Sequence, residues 1–327
     1  MKPIVFVTRP LPKIALETMS KYAVVKVRQT DSIISRKELL AGVKQCDILV
    51  PILTDPIDDS LLAEAPRLKL IANYGAGYNN VDVAAATRRG IPVTNTPDVL
   101  TETTAELTVA LMLAVSRRLV EADTIMRANR YPGWGPLLYL GHGISGNTLG
   151  VIGMGRIGTR VAEIAHHGFG MRILYYTKHK EREVELSLGA QKVSLLTLLK
   201  KSDVVTLHVP LVKQTRHLIG RKELHLMKPS AYLINTSRGP VVDELALWQA
   251  LRHKRIAGAG LDVYEHEPKM VPGLAKQWNA VLLPHIGSAT IETRTAMALV
   301  VAKNIQAFIH GRRLPNCVNP PHVTAVS

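Results

Sequence analysis

Arg238, Glu267 and His285 fall in three short segments, Asn235-Thr236-Ser237-Arg238-Gly239, Asp262-Val263-Tyr264-Glu265-His266-Glu267-Pro268 and Pro284-His285-Ile286-Gly287-Ser288. Each segment follows a short apolar run, so each residue is expected on a loop beyond the carboxyl end of a strand, where α/β sheets bind ligands. A guanidinium at that edge can hold a carboxylate and a ketone in one plane. A carboxylate beside an imidazole favours the protonated ring, which suits a proton donor near neutral pH. Taken singly, an arginine at a strand end is usually only solvated, and any one of twelve histidines is usually structural. The company of all three points instead to reduction of a small 2-oxo acid.

Hydride chemistry needs a cofactor cradle, and Gly153-Met154-Gly155-Arg156-Ile157-Gly158 supplies its pattern. An apolar run precedes it and a helical pattern follows from Thr159. In that context the glycines allow a tight turn and close approach of a pyrophosphate to a helix N-terminus. An NAD site would place Asp or Glu at the end of the next strand. Here that strand is expected to end at Tyr176 and run into Thr177-Lys178-His179-Lys180, with Glu181 the first acid, one turn late. A hydroxyl and cations suit a 2′-phosphate, so NADP(H) is expected as the preferred cofactor, with NAD(H) possible. The rival reading is that the lysines only solvate a strand end. A second glycine turn, Tyr74-Gly75-Ala76-Gly77-Tyr78-Asn79-Asn80, could turn backbone N–H groups towards an anion or be a plain turn.

Short apolar runs alternate with helical patterns along most of the chain, the mark of parallel sheets with crossover helices. Strands are expected at 4–7, 23–25, 48–50, 68–72 and 91–95, then at 148–152, 172–176, 204–207, 231–235, 259–262 and 281–283. Long helices are expected over 101–126 and 290–309, the second closing at Gly311. Helices at the two seams suggest that the chain leaves a first domain and later returns to it. The fold class is therefore α/β: two doubly wound parallel-sheet domains, flavodoxin-like and Rossmann, with a ligand cleft between them. The substrate domain is 1–100 plus 290–327, and the dinucleotide-binding domain is 101–289.

Composition narrows the class. A chain of 327 residues can build two cores. Two cysteines make neither a disulfide framework nor a metal cluster, and they point to a reducing compartment, the cytoplasm. No apolar stretch approaches the roughly 20 residues of a membrane span, and the N-terminal run is too short for a signal segment. The net charge of +15 is scattered rather than clustered, so no nucleic-acid partner is expected. The charge does not decide function.

With these motifs in order, the chain resembles D-isomer-specific 2-hydroxyacid dehydrogenases of the glyoxylate/hydroxypyruvate reductase branch. The likeness runs from the glycine loop at 75–77 through Thr96-Pro97-Asp98-Val99-Leu100-Thr101 to Pro284-His285-Ile286-Gly287-Ser288. It implies a homodimer, a discontinuous substrate domain and an inserted nucleotide domain. It also implies that Arg238 clamps the substrate, that His285 is the acid/base with Glu267 as its partner, and that Ala76 and Gly77 bind the carboxylate through N–H groups. Met154, Gly155, Arg156 and Ile157 would cradle the pyrophosphate, and Thr177, Lys178 and His179 would meet the adenosine ribose. Thr236, Ser237, Arg238, Asp262, His285 and Gly287 would surround the nicotinamide end. Trp134 would reach across the dimer and, with Leu53 and Tyr74, shape the substrate pocket. The missing acid near Tyr176 departs from the wider family, and no regulatory domain is expected after about residue 318. Formate dehydrogenase-like chemistry needs no proton transfer, so the Glu267–His285 pair argues against it. A nucleotide-sensing corepressor on the same fold, or a dehydrogenase for another 2-oxo acid such as 2-ketogluconate, are the alternatives.

Overall fold

The computed structural model describes residues 2–320. Residues 321–327, the tail of the expected return segment, lie outside the described residues. The chain divides into two compact units, Met1–Leu100 with Ala289–Ser327, and Thr101–Ser288.

The first unit is built on five parallel strands, β1 (Ile4–Val7), β2 (Val24–Val27), β3 (Ile48–Val50), β4 (Leu70–Ala72) and β5 (Val93–Thr94). Their order is β2-β1-β3-β4-β5, the flavodoxin-like order. Alternation of side chains separates two cores. Val5, Val7, Ile48, Val50, Leu70 and Ala72 face one side, while Leu49, Ile71 and Val93 face the other. The helix Ile291–Ile309 covers the first side with Met297, Val301 and Ile305. The hydroxyl of Thr290 caps its start by accepting from the Thr293 N–H at 3.2 Å. Gly311, at φ +62°, turns the chain just past its end.

The second unit holds seven parallel strands: β6 (Thr148–Ile152), β7 (Arg172–Tyr176), β8 (Gln191–Lys192), β9 (Val204–Leu207), β10 (Tyr232–Asn235), β11 (Gly258–Leu261) and β12 (Ala280–Leu282). Their order, β12-β11-β10-β9-β6-β7-β8, reverses direction at β6. That is a Rossmann sheet with one further strand, and its switch point lies between β6 and β9. β8 is absent from the sequence expectation. It has only two residues, both exposed, so it leaves no apolar signal.

The expected long helix over 101–126 is in fact two helices, Thr101–Ser116 and Leu119–Arg127. Arg118 between them is left-handed, at φ 55°. The Ser116 carbonyl accepts from the N–H of His142 at 2.9 Å rather than serving a continuing helix. The Arg118 guanidinium turns back onto Glu121 at 2.7 Å. A backbone hydrogen bond from residue 142, distant in sequence, thus meets the end of the first helix in a run whose composition is helical throughout.

Candidate functional site

Arg238, Glu267 and His285 all lie in the second unit, on loops beyond the carboxyl ends of β10, β11 and β12. His285 Nδ1 stands 2.8 Å from Glu267 Oε2. Glu267 Oε1 accepts the Tyr264 N–H at 3.0 Å. Burial pushes the Glu267 carboxyl up, but the bond and charge of His285, the Tyr264 N–H and the charge of Arg238 together hold it below its ordinary value. Glu267 is therefore the ionised acceptor, Nδ1 carries a proton, and Nε2 is the nitrogen left to exchange one.

His285 itself is held in an unusual backbone state, φ 55°, which costs a residue with a Cβ unless its surroundings fix it. Asp262 fixes it. One carboxylate oxygen accepts the Ile286 N–H at 2.7 Å and the other accepts the Gly287 N–H at 2.8 Å. Burial raises the Asp262 carboxyl against the pull of those N–H groups and of His285. A Cβ at residue 287 would sit 3.2 Å from Asp262 Oδ2, so glycine leaves that clamp undisturbed. The Thr104 hydroxyl donates to the Gly287 carbonyl at 3.1 Å, and Thr108 and Thr236 share a hydroxyl contact at 2.8 Å. One face of the helix Thr101–Ser116 therefore ties together the turns carrying His285 and Arg238.

Arg238 reaches this turn because Gly239 follows it. A Cβ at 239 would overlap the carbonyl of Tyr264, so the chain that leads to Glu267 passes directly over the glycine. Burial lowers the pKa of Arg238, and the charge of Glu267 opposes the shift. A guanidinium remains a cation at neutral pH after such a shift. Glu244 braces the same loop from below, with its buried carboxylate accepting from Glu265 and Val271 N–H groups.

The glycine turn after β6 fits a dinucleotide. Gly153 has φ +96°, and a Cβ there would come within 2.6 Å of the His208 carbonyl oxygen. A Cβ on Gly158 would overlap the Gly153 carbonyl, so that glycine lets the helix pack on the strand. Gly155 is different. A Cβ there would meet nothing within 4 Å, yet Gly155 caps the helix Arg156–Phe169 with no side-chain acceptor. A bare backbone at a helix N-terminus is what an approaching pyrophosphate needs. Met154 is buried in the core and Ile157 half-buried, while Arg156 is exposed; Met154 can therefore serve a ligand only through its backbone. Across the switch point His208 follows β9. Burial pushes its pKa down to about 3, so it stands there as a neutral ring beside the Thr206 hydroxyl.

Beyond β7, Thr177 is half-buried and Lys178 and His179 are exposed. One nearby acid is engaged elsewhere: Glu185 takes the Tyr175 hydroxyl at 2.9 Å and the Lys180 ammonium at 3.1 Å. Trp134 lies between the helix Leu119–Arg127 and β6, in a segment without regular structure, and is 85% exposed. Ser237 donates to Asn235 Oδ1 at 2.9 Å and so shapes the turn before Arg238.

In the first unit the loop at 75–77 is fixed by its carbonyls. Those of Gly75, Ala76 and Gly77 accept from Thr96 N–H, Asn95 and Asn73 at 3.0, 2.7 and 2.9 Å. Asn80 ties Asn73 to the carbonyls of Ile52 and Asp55. Leu53 packs on Gly75, where a Cβ would come within 2.6 Å of its Cδ2. Leu53, Ala76 and Gly77 thus share one small braced surface. Thr104, Thr108, Glu244 and His208 were not singled out from the sequence. The hydroxyls at 104 and 108, one turn apart in an apolar helix, were the one signal that could have revealed a polar face.

The family model for "D-isomer specific 2-hydroxyacid dehydrogenase, NAD binding domain" matches residues 109–287, more than half of the chain. The chain belongs to that family. Glyoxylate reductase of Thermococcus litoralis is 51% identical over 329 residues, covering 99% of each chain. A glyoxylate reductase structure from Paecilomyes thermophila is 36% identical with TM-score 0.87, covering 97% of this chain and 98% of that one. The NADPH-dependent glyoxylate/hydroxypyruvate reductase of Sinorhizobium meliloti, solved with NADP and malonate, is 32% identical with TM-score 0.86, covering 98% of both. For a 2-hydroxyacid dehydrogenase, the second unit is the nucleotide-binding part, and the Glu267–His285 pair lies within it. Among the described residues no helix is long and apolar enough to cross a membrane, and no cluster could hold a metal ion.

Proposed function

We propose that this dehydrogenase reduces glyoxylate or hydroxypyruvate to the D-2-hydroxy acid, with NADPH preferred over NADH. The observation that carries the reading is the 2.8 Å Glu267–His285 pair on the same sheet edge as the Gly155 cradle. Full-length likeness to glyoxylate reductases supports the substrate class.

A bound reduced nicotinamide supplies the hydride to C2 of the oxo acid. Gly155 and the first turn of its helix bind the pyrophosphate. Arg238 holds the substrate carboxylate and ketone in a plane. In the first unit, the N–H groups of Ala76 and Gly77 have no protein partner among the described residues, which leaves them open to an anion. His285 gives its Nε2 proton to the oxygen as charge develops on it, and Glu267 stabilises the ring in its charged state. Preorganised charge of this kind is usually the largest catalytic contribution.

NADPH preference rests on Thr177, Lys178 and His179 at the strand end and on the engagement of Glu185 elsewhere. Lys178 makes no ion pair among the described residues, so its ammonium can meet a 2′-phosphate. Lys178→Ala is expected to weaken NADPH by ~1.5–3 kcal/mol, the range for a bond to a charged group, and to leave NADH nearly unchanged. Initial rates over a panel of 2-oxo acids, each with both cofactors, test cofactor and substrate together. Equal losses for NADPH and NADH would sink the cofactor assignment.

We also infer a homodimer. Met126, Tyr131, Trp134, Leu137 and Leu140 are large apolar residues left exposed in one stretch of the second unit, more than a soluble surface usually leaves together. Trp134 then completes the partner's pocket. Sedimentation at assay concentration checks this, and a fully active monomer would refute it. Both cysteines are free, which favours a cytoplasmic setting; fractionation of cells tests that placement.

A further inference from the structure

Hydride chemistry leaves the large positive charge of the chain unexplained. Many of its arginines lie against carboxylates, as Arg36 does on Asp58 at 2.7 Å, Arg89 on Asp59 at 2.6 Å and Arg160 on Glu102 at 2.6 Å. Arg221 and Arg255 do not. Among the described residues neither has an ion pair, yet both line one hollow of about 430 Å³ in the second unit, together with His225 and His253. No aspartate or glutamate lines it.

The two guanidinium groups are held rather than left to sweep solvent. Arg221 donates to Gln249 Oε1 at 2.6 Å, and Arg255 donates to the His225 carbonyl. The helix Glu244–Arg252 ends beside the hollow, and its terminal carbonyls would repel an anion if bare. They are already satisfied: Gln249, Leu251 and Ala250 accept from the N–H groups of His253, Lys254 and Arg255 at 3.0, 3.1 and 2.8 Å. The floor is apolar, made by Leu224, Ala246 and Ala250. Arg255 precedes β11 and the helix Arg221–Leu226 precedes β10. The hollow therefore lies towards the amino ends of strands whose carboxyl ends carry Arg238 and Glu267.

We propose that this hollow binds a small organic phosphate: a dianionic phosphate ester whose compact body rests on the Leu224, Ala246 and Ala250 floor. Two forked cations match phosphate oxygens, and the volume is that of a small-molecule site. The proposal does not depend on the oxo acid reduced. A nucleoside monophosphate and a sugar phosphate share this chemistry, so AMP, ribose 5-phosphate and pyrophosphate are the probes.

Calorimetric titration uses the full chain saturated with NADPH, so that nucleotides cannot enter the cofactor cradle. Saturable binding of AMP or of ribose 5-phosphate is expected, weakened about tenfold or more by Arg221→Gln and by Arg255→Gln. Lys37→Gln, which removes one exposed charge from the other unit, should leave it unchanged. Binding of AMP alone would name a nucleoside phosphate, and binding of both would make the phosphate the main determinant. Unchanged NADPH turnover in Arg221→Gln, whose side chain lies on the surface, shows that the variant is folded. No saturable binding of any probe, or binding indifferent to Arg221→Gln, would overturn the proposal.

Discussion

Replacing His285 by alanine is expected to lower kcat by ~10²–10⁴, the usual worth of a positioned proton donor, with cofactor affinity changed no more than a few-fold. The turn should survive the substitution. Asp262 holds it through the N–H groups of Ile286 and Gly287, and Thr104 holds it through the Gly287 carbonyl; none of these bonds uses the imidazole. The loss should therefore belong to proton transfer and not to collapse of the loop. Turnover read beside nicotinamide affinity by fluorescence separates the two. Near-normal turnover would mean that the proton comes from elsewhere.

Arg238→Lys is expected to cost ~10² in kcat/KM, about 2.8 kcal/mol at 1.4 kcal/mol per tenfold, although the positive charge is kept. The guanidinium is positioned by the extended backbone at 238, by the close pass of Tyr264 over Gly239, and by its bond to the Ser237 carbonyl at 2.6 Å. An ammonium on a flexible stem cannot offer two coplanar donors to a carboxylate and a ketone. Steady-state kinetics with glyoxylate and hydroxypyruvate decide the matter. A lysine variant close to the native rate would show that charge without the planar fork is enough.

Much of the fold was legible because buried parallel strands are continuous apolar runs. Val5 to Val7, Ile48 to Val50 and Thr148 to Ile152 stand out in that way. Gln191–Lys192 did not, since an edge strand of two exposed residues has no apolar run. The break at Arg118 was hidden for another reason: the end of the first helix is met by a bond from His142, which is distant in sequence, and local composition carries no trace of it. The pairing of Glu267 with His285 could be inferred from their loops, but its geometry could not. The supports were less legible. Glu244, Thr104 and Thr108 act by holding backbone from other loops, and such long-range bonds leave no local pattern. Asn80, which joins the Leu53 loop to the 75–77 turn, looked like one more polar residue after a glycine turn.

The proton-donor assignment meets its most direct test in the pH dependence of both reaction directions, measured for the native enzyme and for Glu267→Gln. Reduction needs the protonated ring, so its rate should fall as pH rises; oxidation of the hydroxy acid needs the neutral ring and should gain over the same range. Glutamine can still accept the Nδ1–H bond, but it lacks the charge that favours imidazolium. Both limbs should therefore move together to lower pH in the variant. Limbs that stay in place when Glu267 loses its charge, or that move in opposite senses, would contradict the pairing of Glu267 with a proton-donating His285.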